Sequence, residues 1–333
     1  MRAALKRGEA VTLRDATLRS LDPDEIRLRV TACGICGTDL HLHPGEEEQE
    51  AGFGHEVAGT ILEVGSAVTD LAVGQNVVLE SSSACGRCAN CRNCRQELCT
   101  DVKTFMRPGC MGFAGEMIAP AISAIRCEDL PPDIACLSEP LGVAIDMVRL
   151  AEIELTSNVL LMGAGPIGLM ALALVKRMGA RRVFFVAYKQ QAARARLVDQ
   201  FGADAVVDPK ETPLERCDFA CSIDRILVTS PPLTLNSTFS VAAKGAIITY
   251  IGIAYGEGAF CRFDANDFHF KKLQLRASFA SPAMYTPLAL QYLREGVVNG
   301  AALISHRFPL SMIEEAMQVA RDKRTAVKVV VMP

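Results

Sequence analysis

Cys36, His41, His55 and Glu56 fall in one short stretch of the chain, with Thr38 beside the first of them. Thiolate, imidazole and carboxylate are donors that suit zinc, and a catalytic zinc keeps three protein ligands and one open position for water or substrate. Glycines at 34, 37, 54 and 59 flank these residues, leaving the backbone free to turn close to an ion. A single Cys or His more often packs into a core, and Cys33, beside a small apolar strand, reads that way. Cys36 with His55-Glu56 reads as a metal site, because a later segment adds to the set.

A second ligand group follows in C-G-R-C-A-N-C-R-N-C-R-Q-E-L-C. Cys85, Cys88 and Cys91 are spaced C-x2-C-x2-C, and Cys99 comes after seven more residues. Four thiolates close a tetrahedral shell and pin a loop that has no core of its own, so this is the expected structural zinc. Cys94 is a fifth cysteine in the run and reads as an extra free thiol.

The elements that must carry these residues belong to an ordinary globular chain. It has 333 residues, 50% hydrophobic and 22% charged, which fits about two domains. The net charge of -3 gives no reason to expect nucleic acid or an anionic membrane as a partner. No apolar run reaches the ~20 residues needed to span a bilayer, and the start M-R-A-A-L-K-R-G lacks a signal core. Thirteen cysteines in such a chain point to metal and free thiols, and the expected location is cytoplasmic.

The first 80 residues read as short strands and turns. I-R-L-R-V over 26–30 alternates as a half-buried strand does, and 57–64 and 73–79 continue in that style, with turns at Gly65 and Gly74. The acidic run Glu46-Glu47-Glu48-Gln49-Glu50 reads as a solvated face, with a lid over the substrate as the alternative. Glu139 opens a helical stretch ending near Leu150. The helix dipole alone would favour a carboxylate there, but its company with Cys36, His55 and Glu56 favours the metal. Whether Glu56 or Glu139 is the third catalytic ligand stays open.

A buried strand at 159–162 leads into Gly163-Ala164-Gly165-Pro166-Ile167-Gly168, a helix over 169–178 and a strand at 183–186. Glycines between a strand and a helix are the context a dinucleotide site requires. A ribose-binding acid belongs about 20 residues beyond the loop. The position reached is Ala187, followed by Tyr188 and Lys189. Without an acid to hold the 2′-hydroxyl, and with Lys189 and Arg194 able to meet a 2′-phosphate, the reading leans to NADP over NAD. The alternative is a solvated loop with another acid in charge. Further on, a short helix over 214–223, strands at 225–228, 246–251 and 273–279, a helix over 287–296 and a strand over 327–331 are expected.

Gly34 to His41, Gly54 to Gly59 and the cysteine run resemble the zinc-containing medium-chain alcohol dehydrogenases, with the polyol and threonine dehydrogenases as the nearest branch. The likeness covers essentially the whole chain. It implies an α/β protein with a β-rich GroES-like catalytic domain and a doubly wound parallel-sheet Rossmann domain. The catalytic domain would comprise 1–146 and 282–333, with the structural zinc lobe at 85–99, and the Rossmann domain 147–281. In the polyol branch an E-P-L glutamate, here Glu139, lies at the zinc where simple alcohol dehydrogenases have cysteine. Thr38, His41 and Glu56 take the catalytic roles, Thr38 passing the proton outward. Ile251-Gly252-Ile253 resembles the segment flanking the nicotinamide, and Phe268-His269-Phe270-Lys271 a scaffold motif. The implied activity is hydride transfer between a small secondary alcohol, polyol or amino alcohol, and a nicotinamide cofactor. Rival readings are carbonyl reduction as the working direction and a cofactor-binding protein without chemistry. A homo-oligomer, dimer or tetramer, is the expected assembly.

Overall fold

The computed structural model describes residues 1–41, 50–106, 111–127 and 129–333. Residues 46–49 of the acidic run lie outside the described residues. The chain forms two compact units, Met1–Gly142 with Ala280–Asp322 and Lys328–Pro333, and Val143–Phe279 with Lys323–Val327. Thus the five residues 323–327 return to the second unit between two segments of the first. Among the described residues, no helix is long and apolar enough to cross a membrane.

The first unit is built mainly from β-strands. Its largest sheet carries Ala124–Arg126, Asn76–Leu79, Glu56–Val64, Glu25–Gly34, Lys328–Met332 and Ile304–Pro309 in that order, with Glu116–Pro120 also paired to Glu25–Gly34. The alternation in Glu25–Gly34 is real: Ile26, Leu28 and Val30 are buried while Arg29 is exposed. Its antiparallel pairing sets Gly34 opposite Glu56 and Cys33 opposite Val57. Lys328–Met332 joins the other side, with Val330 opposite Gly34. One end of three adjacent strands therefore gathers residues that are far apart in sequence.

The second unit holds one parallel sheet in the order Ala205–Val207, Arg182–Val186, Asn158–Met162, Ile223–Val228, Ala242–Tyr250, Gln274–Ala277. Asn158–Met162 is buried along its whole length, as a strand covered on both faces must be. Leu160, Phe184, Ile226, Val228 and Ile248 are core residues here, and each such side chain contributes about 2 kcal/mol on leaving water. The glycine loop joins Asn158–Met162 to the helix Pro166–Arg177.

One expectation is overturned. Residues 214–223 do not form a continuous helix: only Leu214–Arg216 makes a 3-10 turn, and Ile223 already begins a strand. The Asp218 side chain accepts from the Ala220 amide at 2.8 Å, and Ala220 has a positive φ of 52°. Such an aspartate turn satisfies the backbone locally and competes with a helix.

Candidate metal centre and dinucleotide site

The strand pairing builds the first group. Cys36 follows the end of Glu25–Gly34, while His55 precedes Glu56–Val64. Metal-binding atoms of Cys36, His55 and Glu56 all lie within 4.8 Å of one another. His55 and Glu56 are buried, and Glu56 is only 1% exposed. Gly34 makes the room: a Cβ there would lie 2.0 Å from Glu56 Oε2. That oxygen has no hydrogen-bond partner among the described residues. A buried carboxylate oxygen left bare needs a cation or a donor, and a zinc ion held by thiolate, imidazole and carboxylate answers that need.

Two residues that the sequence reading did not single out support this group. Asp39, in the 3-10 turn Thr38–Leu40, accepts from the Cys36 amide at 2.8 Å and lies 3.8 Å from His55 Nδ1. Lys328, 2% exposed, donates to the Ile35 carbonyl at 2.9 Å and to Glu56 Oε1. Burial works against a charged His55 ring, yet Cys36, then Asp39 and Glu139, hold its pKa well above the ordinary value. Burial also opposes charge on Lys328, and Glu56 with Cys36 outweighs it, leaving that pKa raised.

Glu139 is the second residue of the helix Ser138–Leu150 and is half-buried. It stands outside the three-residue group, and its Oε1 accepts from the Ser81 hydroxyl at 3.2 Å. It is near enough to feel the others: burial raises its pKa, with His55 and Lys328 lowering it and Glu56 raising it. Thr38 is partly buried at the start of its turn. His41 ends that turn with an exposed side chain, outside the metal group, and its carbonyl accepts from Lys6 at 2.7 Å.

Cys85, Cys88, Cys91 and Cys99 form the other group, again with sulfurs within 4.8 Å. Backbone amides donate to two of the sulfurs. The Cys85 amide donates to Cys99 Sγ and the Cys88 amide to Cys85 Sγ, both at 3.3 Å. Amides of Cys91 and Thr100 bring the Cys88 thiol down to about 5, as favours a metal-binding thiolate. Cys94, exposed and at positive φ, stands outside the group.

In the second unit, Gly163 adopts φ +110°, and a Cβ at Gly168 would lie 1.9 Å from the Gly163 carbonyl. A Cβ at Gly165, by contrast, would meet nothing within 4 Å. Gly165 caps the helix, with Pro166, Ile167 and Gly168 in its first turn. Open space before a helix N-terminus fits a pyrophosphate. Ile251 follows the strand Ala242–Tyr250, and Gly252 packs against the Ser230 carbonyl with no room for a side chain. Ile253 is exposed.

Ala187 is buried at the end of Arg182–Val186. Tyr188 and Lys189 are exposed, and Lys189 pairs with Glu211 at 2.5 Å. Arg194 turns its Nε to the Ala326 carbonyl at 3.0 Å. Asp208, likewise not singled out from sequence, accepts from the amides of Lys189 and Lys210.

Comparison with known proteins bears on both sites. Residues 22–129 match the alcohol dehydrogenase GroES-like domain and residues 166–295 the zinc-binding dehydrogenase family. The chain is 32% identical to an L-threonine 3-dehydrogenase of Thermococcus kodakarensis, covering 93% of this chain and 91% of that protein. It is 30% identical to an L-idonate 5-dehydrogenase of Vitis vinifera, over 94% and 89%. Among solved structures, a zinc-binding dehydrogenase from Sinorhizobium meliloti 1021 bound to NADP superposes with a TM-score of 0.86 at 27% identity, covering 100% of this chain and 99% of that one.

Proposed function

This chain belongs to the zinc-containing medium-chain alcohol dehydrogenases, in the branch of the polyol and threonine dehydrogenases, and on that premise we propose that it oxidises a secondary alcohol of a polyol or amino alcohol with NADP. Hydride transfer between an alcohol and NAD(P) is the activity of the chain; the substrate, the cofactor preference and the residue roles are the proposal. When bound, zinc supplies Lewis acidity and the nicotinamide accepts the hydride.

Cys36, His55 and Glu56 hold the catalytic ion, and the bare Oε2 of Glu56 supports its choice over Glu139 as third ligand. Asp39 fixes the orientation of His55, as partners of metal-binding imidazoles do. Glu139, held by Ser81, faces the same centre as a second carboxylate, and that polar setting is the observation that carries the polyol reading. Thr38 passes the alcohol proton outward, and His41 at the end of the same turn delivers it to solvent. Cys85, Cys88, Cys91 and Cys99 hold the structural ion. Gly163, Gly165, Pro166, Ile167 and Gly168 cradle the pyrophosphate, Ile251, Gly252 and Ile253 border the nicotinamide, and Ala187, Lys189 and Arg194 border the adenosine end.

The complete ligand group argues against a protein that binds cofactor without chemistry. No disulfide joins the described cysteines, which suits a reducing compartment, and a cytoplasmic homo-oligomer, dimer or tetramer, completes the proposal. The test is a panel of polyols, amino alcohols and simple alcohols assayed with both cofactors. A marked preference for long-chain apolar primary alcohols over every polyol and amino alcohol would overturn the substrate reading.

A further inference from the structure

Ala205–Val207 and Arg182–Val186 are parallel neighbours, and the second of them pairs with Asn158–Met162. Adenosine in such a sheet lies beyond the carboxyl ends of these strands. Lys189 and Lys210 sit at those ends, each on its own strand's loop. A single buried carboxylate ties the two loops together: Asp208, 8% exposed, accepts from the Lys189 amide at 2.8 Å and the Lys210 amide at 2.9 Å.

Each lysine reaches across to the other strand's loop. Lys210 Nζ donates to Gln190 Oε1 at 3.1 Å and lies 5.6 Å from the centre of the exposed Tyr188 ring. Lys189 Nζ pairs with Glu211 Oε2 at 2.5 Å, both side chains being more than half exposed. Glu211 is thus the acid that meets a lysine where Ala187 supplies none. Arg194 is drawn to Ala326 instead.

We propose that Lys189 and Lys210 form a two-strand clamp for the adenosine 2′-phosphate of NADP, with Glu211 as a resident counter-ion that the phosphate displaces from Lys189. The inference rests on the dinucleotide reading of the preceding subsection and adds Lys210, Glu211 and the pin Asp208 to it. A phosphate dianion makes charge-assisted bonds to both ammonium groups. Glu211 lowers the net positive charge of the clamp and so limits the discrimination against NAD.

The test is calorimetric titration of the full-length protein with 2′,5′-ADP and with 5′-AMP, which differ by the phosphate in question, and then with NADPH and NADH. Lys210→Ala weakens 2′,5′-ADP about tenfold relative to 5′-AMP, and Lys210→Arg restores most of it. Glu211→Gln strengthens 2′,5′-ADP about fivefold relative to 5′-AMP, a gain that shrinks in high salt. Equal losses for both nucleotides in Lys210→Ala, or an unchanged ratio in Glu211→Gln, would overturn the clamp. Wild-type protein that binds NADH and 5′-AMP well and their phosphorylated counterparts poorly overturns the clamp alone. Wild-type protein that binds none of the four overturns the dinucleotide reading beneath it.

Discussion

Lys328 and Glu56 stand 272 residues apart in the chain and form a buried ion pair. The strand register brings them together, since Lys328–Met332 and Glu56–Val64 flank the same end of Glu25–Gly34. Removing one partner of such a pair costs about 3–5 kcal/mol, because the other charge is left uncompensated. Lys328→Met should therefore lower the unfolding free energy of chelator-treated protein by about 3 kcal/mol. The loss should be smaller with zinc present, when a second cation faces Glu56. Urea unfolding with and without metal measures the difference, and equal losses in both states would remove Glu56 from the metal site.

The two ligand groups predict two zinc ions per chain by elemental analysis. Cys36→Ala should lose one ion and the activity while the fold persists. Cys91→Ala should lose the other ion and mainly stability, because the 85–99 segment has only its metal to close it. Finding one ion or none in freshly purified, chelator-free wild-type protein would refute the pair of sites.

The glycine loop gives a contrast within three residues. Gly168→Ala drives a methyl group against the Gly163 carbonyl, a backbone clash that should cost about 2 kcal/mol or more. Gly165→Ala meets no protein atom within 4 Å, so its melting temperature should stay close to wild type. Its NADPH and NADH affinities should nonetheless fall, since the added methyl occupies the space assigned to the pyrophosphate. Thermal melts and calorimetry separate the two, and a Gly165→Ala variant with undiminished affinity for both would place the pyrophosphate elsewhere.

Asp208 yields a prediction with a definite pH window. The amide of Lys189, and then that of Lys210, hold its carboxyl below the ordinary carboxylate value. A depressed carboxylate contributes stability that is present above its unfolded pKa and is lost as the pH falls through the folded one. Asp208→Asn should cost about 1 kcal/mol at pH 7 and the same at pH 5. The gap between variant and wild type should close only below about pH 4. Denaturant curves across that range are the check, and a gap that closes between pH 7 and 5 would contradict the assignment.

What could be read from the chain followed from local spacing. The cysteine run is a complete ligand pattern in itself, and the strand–glycine–helix order at 158–177 announces its own geometry. Asp39, Lys328 and Asp208 are harder, because each meets a partner that the fold brings in from another segment: His55, Glu56 and the Lys189 amide. A signal existed for Lys328: a lysine opening the apolar run K-V-V-V-M must find an anion if its strand is buried. Asp39 is three residues beyond Cys36, the reach of a side chain that accepts from a preceding amide, but the sequence does not show that it also faces His55. The missed turn at 214–223 has the same origin on a smaller scale. Asp218 bonded its neighbouring backbone, and no periodicity reports that.

The return of residues 323–327 to the second unit, and of 328–333 to the first, means that the chain passes between the units four times. Neither unit is a contiguous gene fragment. As the polypeptide leaves the ribosome, Glu25–Gly34 and Glu56–Val64 precede the strand that joins their sheet and pairs with Glu56, whose Lys328 follows 272 residues after that carboxylate. Glu56 must therefore wait, without its lysine, while those 272 residues are added. Closing so long a loop is slow, and zinc captured by the nascent chain would be the first cation Glu56 meets. A stop codon a few residues before Lys328 would spare most of the second unit and leave Glu56 without its buried lysine and the sheet without the strand that joins Glu25–Gly34 to Ile304–Pro309.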